Sequence, residues 1–166
     1  MEAKDRLSLV TSLVAAVAAA HSEGCIHGCI TPDNICMSES YEGLIVNFFG
    51  RCPSGTEYHL PTLVPTYSAP EALSDAVISK SADVFSLGKL TYKILFGGSI
   101  DPYGGWIPSK AYKHQISPMT IGALSKATNG ALQRAVALEA RDRWPDANAY
   151  LHALKGLTIP NDVRNL

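Results

Sequence analysis

Between Lys80 and Phe96 lies a segment of helical length that is apolar on nearly every side, carrying Val84, Phe85, Leu87, Leu90, Tyr92, Ile94 and Leu95. A helix without a polar face has no place on a surface, so the rest of the chain has to wrap around it. Gly97-Gly98 ends it. With 166 residues, the chain is long enough to bury about two-thirds of its unfolded surface around such a centre. A single domain over residues 1–166 is expected.

The other elements are weaker. Leu7, Val10, Leu13, Val14 and Val17 recur at helical spacing and predict a helix from about Asp5 to His21, with Gly24 as its C-terminal cap. Short apolar runs at Cys25–His27, Asn34–Met37 and Leu44–Val46 read as strands. Arg51 to Ser68 carries Pro53, Gly55, Pro61 and Pro65 without periodicity, which predicts a loop, and Asp101 to Pro108 is a second one. Three helices are expected at about Pro118–Lys126, Ala131–Glu139 and Asp146–Lys155. No internal repeat is present. The fold class is mainly α with a few short strands near the start.

Composition excludes several functions. The 14 basic residues nearly balance 15 acidic ones, so no basic stripe points to nucleic acid. Charged residues make up 17% of the chain, below the roughly 25% of ordinary soluble domains. A face covered by a partner is therefore favoured. The spacings of Cys25, Cys29, Cys36 and Cys52 match no zinc template. They read as reduced core thiols of a cytoplasmic protein. The apolar run Leu7–Ala20, ending in Ala18-Ala19-Ala20, raises a signal peptide over residues 1–20 as an alternative. The opening Met-Glu-Ala-Lys-Asp-Arg lacks the positive start such a signal needs. The run is also too short to span a bilayer.

Four blocks occur in an order that resembles the C-terminal lobe of the protein kinase superfamily. His27-Gly28-Cys29-Ile30-Thr31-Pro32-Asp33-Asn34 resembles the catalytic loop. Asn47-Phe48-Phe49-Gly50 falls where the D-F-G segment would sit. Ala69-Pro70-Glu71 resembles the end of the activation segment, and Asp83-Val84-Phe85-Ser86-Leu87-Gly88 the buried helix after it. Arg143 is a fifth, weaker match. The resemblance runs roughly from Leu7 to Leu154 and implies a kinase-like C-terminal lobe. It is similar in architecture to the kinase non-catalytic C-lobe domain.

The departures from the pattern bear on chemistry. The resemblance puts Cys29 at the aspartate that accepts the substrate proton, Phe48 at the magnesium aspartate and Thr31 at the catalytic-loop lysine. Gly28 stands where the family has an arginine. A one-residue shift would bring in Asn47. Asn34 is kept as an amide ligand, which alone cannot retain the cation. No Gly-rich loop or V-A-I-K lysine precedes the first helix. By contrast the scaffold positions are filled: Glu71 and Arg143 as an ion pair, Asp83 as acceptor for the loop, and His27 beneath the D-F-G strand. His27 and Cys29 also allow a Cys–His nucleophile, weighed against a buried histidine beside a loop cysteine.

These residues predict a catalytically inactive pseudokinase lobe. It would not be an enzyme, would need no cofactor or metal, and would act as a protein-binding or regulatory module that binds or mimics a kinase or takes a helical peptide. Alternatives are a phosphotransferase completed by another chain and a self-associating homodimer. Phe48 and Phe49 are a candidate interaction patch, or Phe48 plugs the nucleotide cleft. Trp106 is a candidate peptide contact, or a lid on the core.

Overall fold

The computed structural model describes residues 2–38, 43–45, 64–75, 78–97, 102–103, 120–122, 124–157 and 159. Five α-helices and one short hairpin make up the described architecture: α1 (Ala3–Ser22), β1 (Ile35–Met37), β2 (Gly43–Ile45), α2 (Pro70–Asp75), α3 (Lys80–Phe96), α4 (Lys126–Ala135) and α5 (Ala147–Leu154). Single 3-10 turns at Pro32–Asn34 and Ala140–Asp142 complete it.

Helix α3 takes the central place that its composition demands. Val84, Phe85, Leu87, Leu90, Leu95 and Phe96 are all buried. Helices α1, α4 and α5 pack against it. The Ser79 hydroxyl accepts from Ala82 N at its start, and Gly97 closes it at φ 68°, a left-handed conformation open to glycine without a Cβ clash. The buried Arg6 guanidinium of α1 donates to the Leu95 carbonyl. One of the acceptors left over at the end of α3 is thereby satisfied from another helix.

Helix α1 buries Val10, Leu13, Val14 and Val17 on one stripe. It ends in a Schellman arrangement, with Cys25 N donating to Ala20 O at 2.9 Å, Gly24 N to His21 O at 3.2 Å, and Gly24 at φ 78°. The strands pair antiparallel with Ile35 opposite Ile45.

Three expectations are corrected. Cys25–His27 is not among the strands of the described residues, because Cys25 N is taken by the Ala20 carbonyl at the end of α1 and His27 N by the Asp83 carboxylate. The two helices expected over 118–126 and 131–139 are replaced by the single α4. Ser125 caps α4 through Thr128 N at 3.1 Å. Asn129 then reaches back to the backbone of Ile121 and Leu124, which gives those groups partners outside a helix. Beyond Ala135 the helix stops because the carbonyls of Ala137 and Leu138 are held by Arg143. The cysteines are not four reduced core thiols. Cys29 is a buried thiol, Cys36 an exposed one, and Cys25 is disulfide-bonded; spacing along a chain does not reveal a bridge across a fold. Cys52 lies outside the described residues. Among the described residues no helix is long and apolar enough to cross a membrane.

Candidate functional site

Residues 27–34 pass between α1 and α3, and their path is set by one side chain. Asp83, in the first turn of α3 and 1% exposed, accepts from Gly28 N at 2.8 Å through Oδ1 and from His27 N at 2.7 Å through Oδ2. The same Oδ2 accepts from His21 Nε2 at 3.0 Å. A buried carboxylate is tolerated only with its lone pairs filled, and here three donors fill them.

His21 carries no motif signal in the sequence, yet it joins this cluster. It is 1% exposed. Its Nδ1 accepts from Ala147 N, the first residue of α5, at 3.1 Å. Nδ1 as acceptor fixes the proton on Nε2, which then donates to Asp83. The ring therefore ties α1, α3, the loop and α5 together. The available signal was its place at the last turn of an apolar helix with a buried face.

Within the loop, Gly28 adopts φ 80°, a left-handed conformation disfavoured for residues with a Cβ. Cys29 N donates to His27 Nδ1 at 3.2 Å, and Asn34 Nδ2 donates to Cys29 O at 2.8 Å and approaches Cys29 Sγ at 3.6 Å. His27 thus turns Nδ1 to the backbone of Cys29, not to its thiol. Burial pushes the Cys29 thiol up from its ordinary value, with the charges of Asp33 and Asp83 adding to it and the Asn34 hydrogen bond opposing. At neutral pH the group stays a thiol, which is the reverse of what a Cys–His nucleophile requires. Thr31 is buried and precedes the 3-10 turn.

On the far side of α3, Arg143 is 1% exposed and meets Glu71 through two parallel bonds, Nη1–Oε1 at 2.6 Å and Nη2–Oε2 at 2.8 Å. Nε donates to Ala137 O, Nη1 also to Ser81 O, and Nη2 also to Leu138 O. All five guanidinium N–H groups are accounted for, and the cation sits 4.9 Å from the Phe85 ring centre. Helix α2 is pinned to the base of the fold by this group. Phe48, Phe49 and Trp106, and also Asn47, lie outside the described residues.

The match to the family model of the protein kinase domain runs over residues 1–141. The chain belongs to the protein kinase family. It is 36% identical over 107 residues to the maternal embryonic leucine zipper kinase of Xenopus laevis, covering 57% of this chain and 16% of that protein. Human calcium/calmodulin-dependent protein kinase type 1B is 32% identical over 98 residues, covering 57% of this chain and 29% of that protein. A serine/threonine-protein kinase of Mycobacterium bovis is 31% identical over 97 residues, or 9% of its length. The chain thus spans less than a third of each of these relatives.

These matches correct the expectation that the chain is not an enzyme, because its relatives are named as protein kinases. That expectation rested jointly on Cys29, Phe48, Thr31 and the lack of a Gly-rich loop or V-A-I-K lysine before the first helix. In phosphoryl transfer, however, positioning and electrostatic stabilisation supply nearly all of the catalysis, and the proton acceptor at position 29 is one contribution among these. Asn34 turns its amide nitrogen to Cys29 O at 2.8 Å, and among the described residues no group of three His, Cys, Asp or Glu converges as a metal site.

Proposed function

We propose that this chain is the protein-facing lobe of a kinase-family phosphotransferase. It holds loop 27–34 in place for a protein partner, and an ATP-binding half supplied by further polypeptide brings the nucleotide and its cation. The Asp83 clamp carries this reading. Hydrogen bonds from His27 N and Gly28 N to Asp83, whose carboxylate His21 of α1 also holds, fix the loop before any ligand arrives, and a loop fixed in advance spares the ordering entropy of binding. The Cys29 thiol, kept protonated by burial, does not accept a proton there. A protein partner also suits a nearly neutral chain of low charge content.

The test uses the complex recovered from its own cells through a tag on this chain. Labelled phosphate should pass from ATP to protein in the complex, and ATP with Mg²⁺ should raise its melting midpoint but not that of the purified chain. Asp83→Asn and the milder Asn34→Ala should lower the transfer while far-UV circular dichroism stays unchanged. A complex without ATP-dependent stabilisation or transfer refutes the proposal, and so does full transfer in both folded variants.

A further inference from the structure

His21 meets two elements through its two ring nitrogens, and only one of these contacts survives a second proton. Nε2 donates to Asp83 Oδ2 at 3.0 Å, and Nδ1 accepts from Ala147 N, in the first residue of α5, at 3.1 Å. A charged imidazole carries N–H at both positions and accepts at neither. A second proton therefore acts in opposite senses at the two ends of the ring. Toward Asp83 the bond becomes an ion pair, and charge-assisted bonds are the stronger kind. Toward α5 one N–H is set against another, and the added charge faces the positive end of the helix dipole. The Ala147 bond is lost. Histidine is the side chain whose charge ordinarily changes between about pH 5 and pH 8.

The groups around the ring decide which end yields. On α3, Asp83 is 1% exposed and faces Nε2, while Lys80 turns its ammonium to the His21 carbonyl at 2.5 Å. In the loop, His27 gives its backbone N–H to Asp83, and its own Nδ1 accepts from Cys29 N. On α5, the Asp146 carboxylate caps the helix through Ala149 N at 2.9 Å. On α1, Glu23 is exposed two residues beyond the ring. The counter-charge in contact with the ring is thus Asp83, which holds a charged ring on the loop side. Helix α5 spans only Ala147–Leu154, too short to persist without its packing, so its first turn depends on what α1 offers it. Asn148 Nδ2 also donates to Ala18 O at 3.3 Å and to Ser22 Oγ at 3.2 Å, and Tyr150 OH bonds Thr91 Oγ1 at 3.1 Å. None of these bonds involves the His21 ring, so the opening is confined to the first turn.

We propose that His21 is a proton-operated latch, which on charging frees the first turn of α5 from α1 and strengthens the Asp83 clamp on residues 27–28. Acid then loosens the packing of α5 without disturbing the loop. The latch needs neither nucleotide nor a second polypeptide, and it stands or falls separately from the phosphotransfer reading.

The test is nuclear magnetic resonance on the isotope-labelled 166-residue chain, titrated from about pH 8 to about pH 5. Ring nitrogen shifts read the charge of His21. Amide hydrogen exchange, corrected for its intrinsic pH dependence, reads the two ends. As the ring charges, protection at Ala147 should fall about 2–12-fold, the range of one hydrogen bond, while His27 and Gly28 keep or gain protection. Asn148→Ala removes the parallel tie at an exposed side chain and should carry the loss as far as Ala149. His21→Gln keeps a donor for Asp83 without a titrating ring, and its Ala147 amide should show no such fall. Should His21→Gln not fold, the ring shifts and the Asn148→Ala chain carry the test. Unchanged protection at Ala147 beside a charged ring overturns the proposal, as does a ring that stays uncharged until the whole chain unfolds. An equal loss at His27 and Gly28, or the same fall in folded His21→Gln, would also overturn it.

Discussion

Replacing Arg143 by methionine keeps most of the side chain's length and removes five hydrogen-bond donors and one charge. Left behind are the Glu71 carboxylate and the carbonyls of Ala137, Leu138 and Ser81. Breaking a buried ion pair by deleting one partner costs about 3–5 kcal/mol. Glu71 retains 13% side-chain exposure, so water reaches its carboxylate and the lower end, about 3 kcal/mol, is expected. For a chain of this size that corresponds to a fall in melting midpoint of roughly 6–12 °C. Urea unfolding monitored by circular dichroism measures it directly, as a lower midpoint at constant m value. Glu71→Ala completes a double-mutant cycle. Because the two residues share one pair, the double variant should lose at least about 1 kcal/mol less than the sum of the singles. An Arg143→Met chain within about 0.5 kcal/mol of the unmodified one, the range of an ordinary surface change, would refute this account of the pair.

Two glycines on helices should respond in opposite directions to alanine. At Gly88 an added Cβ would lie 2.6 Å from Val136 Cγ1 and 3.0 Å from Ala135 Cβ, and overpacking of about 1–3 kcal/mol outweighs the helix-propensity gain. At Gly130 nothing lies within 4 Å, so Gly130→Ala should stabilise by about 0.5–1 kcal/mol; thermal melts of the two variants suffice to check both. Stability should also fall in alkali. Cys29 has its folded value raised by burial, so its contribution is complete below the ordinary thiol value of 9.0 and is lost as pH rises through the folded one. Tyr150, raised by burial and opposed by its Thr91 hydrogen bond, adds a second loss at still higher pH. Urea midpoints measured from pH 7 upward should decline, and Cys29→Ala should remove the first part of that decline. Alkylation by iodoacetamide at pH 8 should reach the exposed Cys36 well before Cys29, as peptide mapping would show.

What the sequence by itself determined was the fold's organisation. A helix at Lys80–Phe96 that is apolar on nearly every side has to be central, and an amphipathic repeat between Leu7 and Val17 has to lie against it; both signals are local and strong enough to survive any tertiary arrangement. The order of the kinase-like blocks placed the family. Tertiary structure decided the rest, because it depends on groups far apart in sequence. His21 looked like an unremarkable histidine until folding set it between Asp83 and the backbone of Ala147. A helix over 131–139 was plausible from composition, yet Arg143 takes the carbonyls of Ala137 and Leu138 and ends α4 early. The departures at Cys29, Phe48 and Thr31 read as lost chemistry in the sequence, whereas the relatives the chain matches are named as protein kinases. Periodicity reads which face of an element is buried. It does not read which distant polar group will meet that face, and in this protein such meetings, at Asp83 and at Arg143, hold the loop and the helices in place.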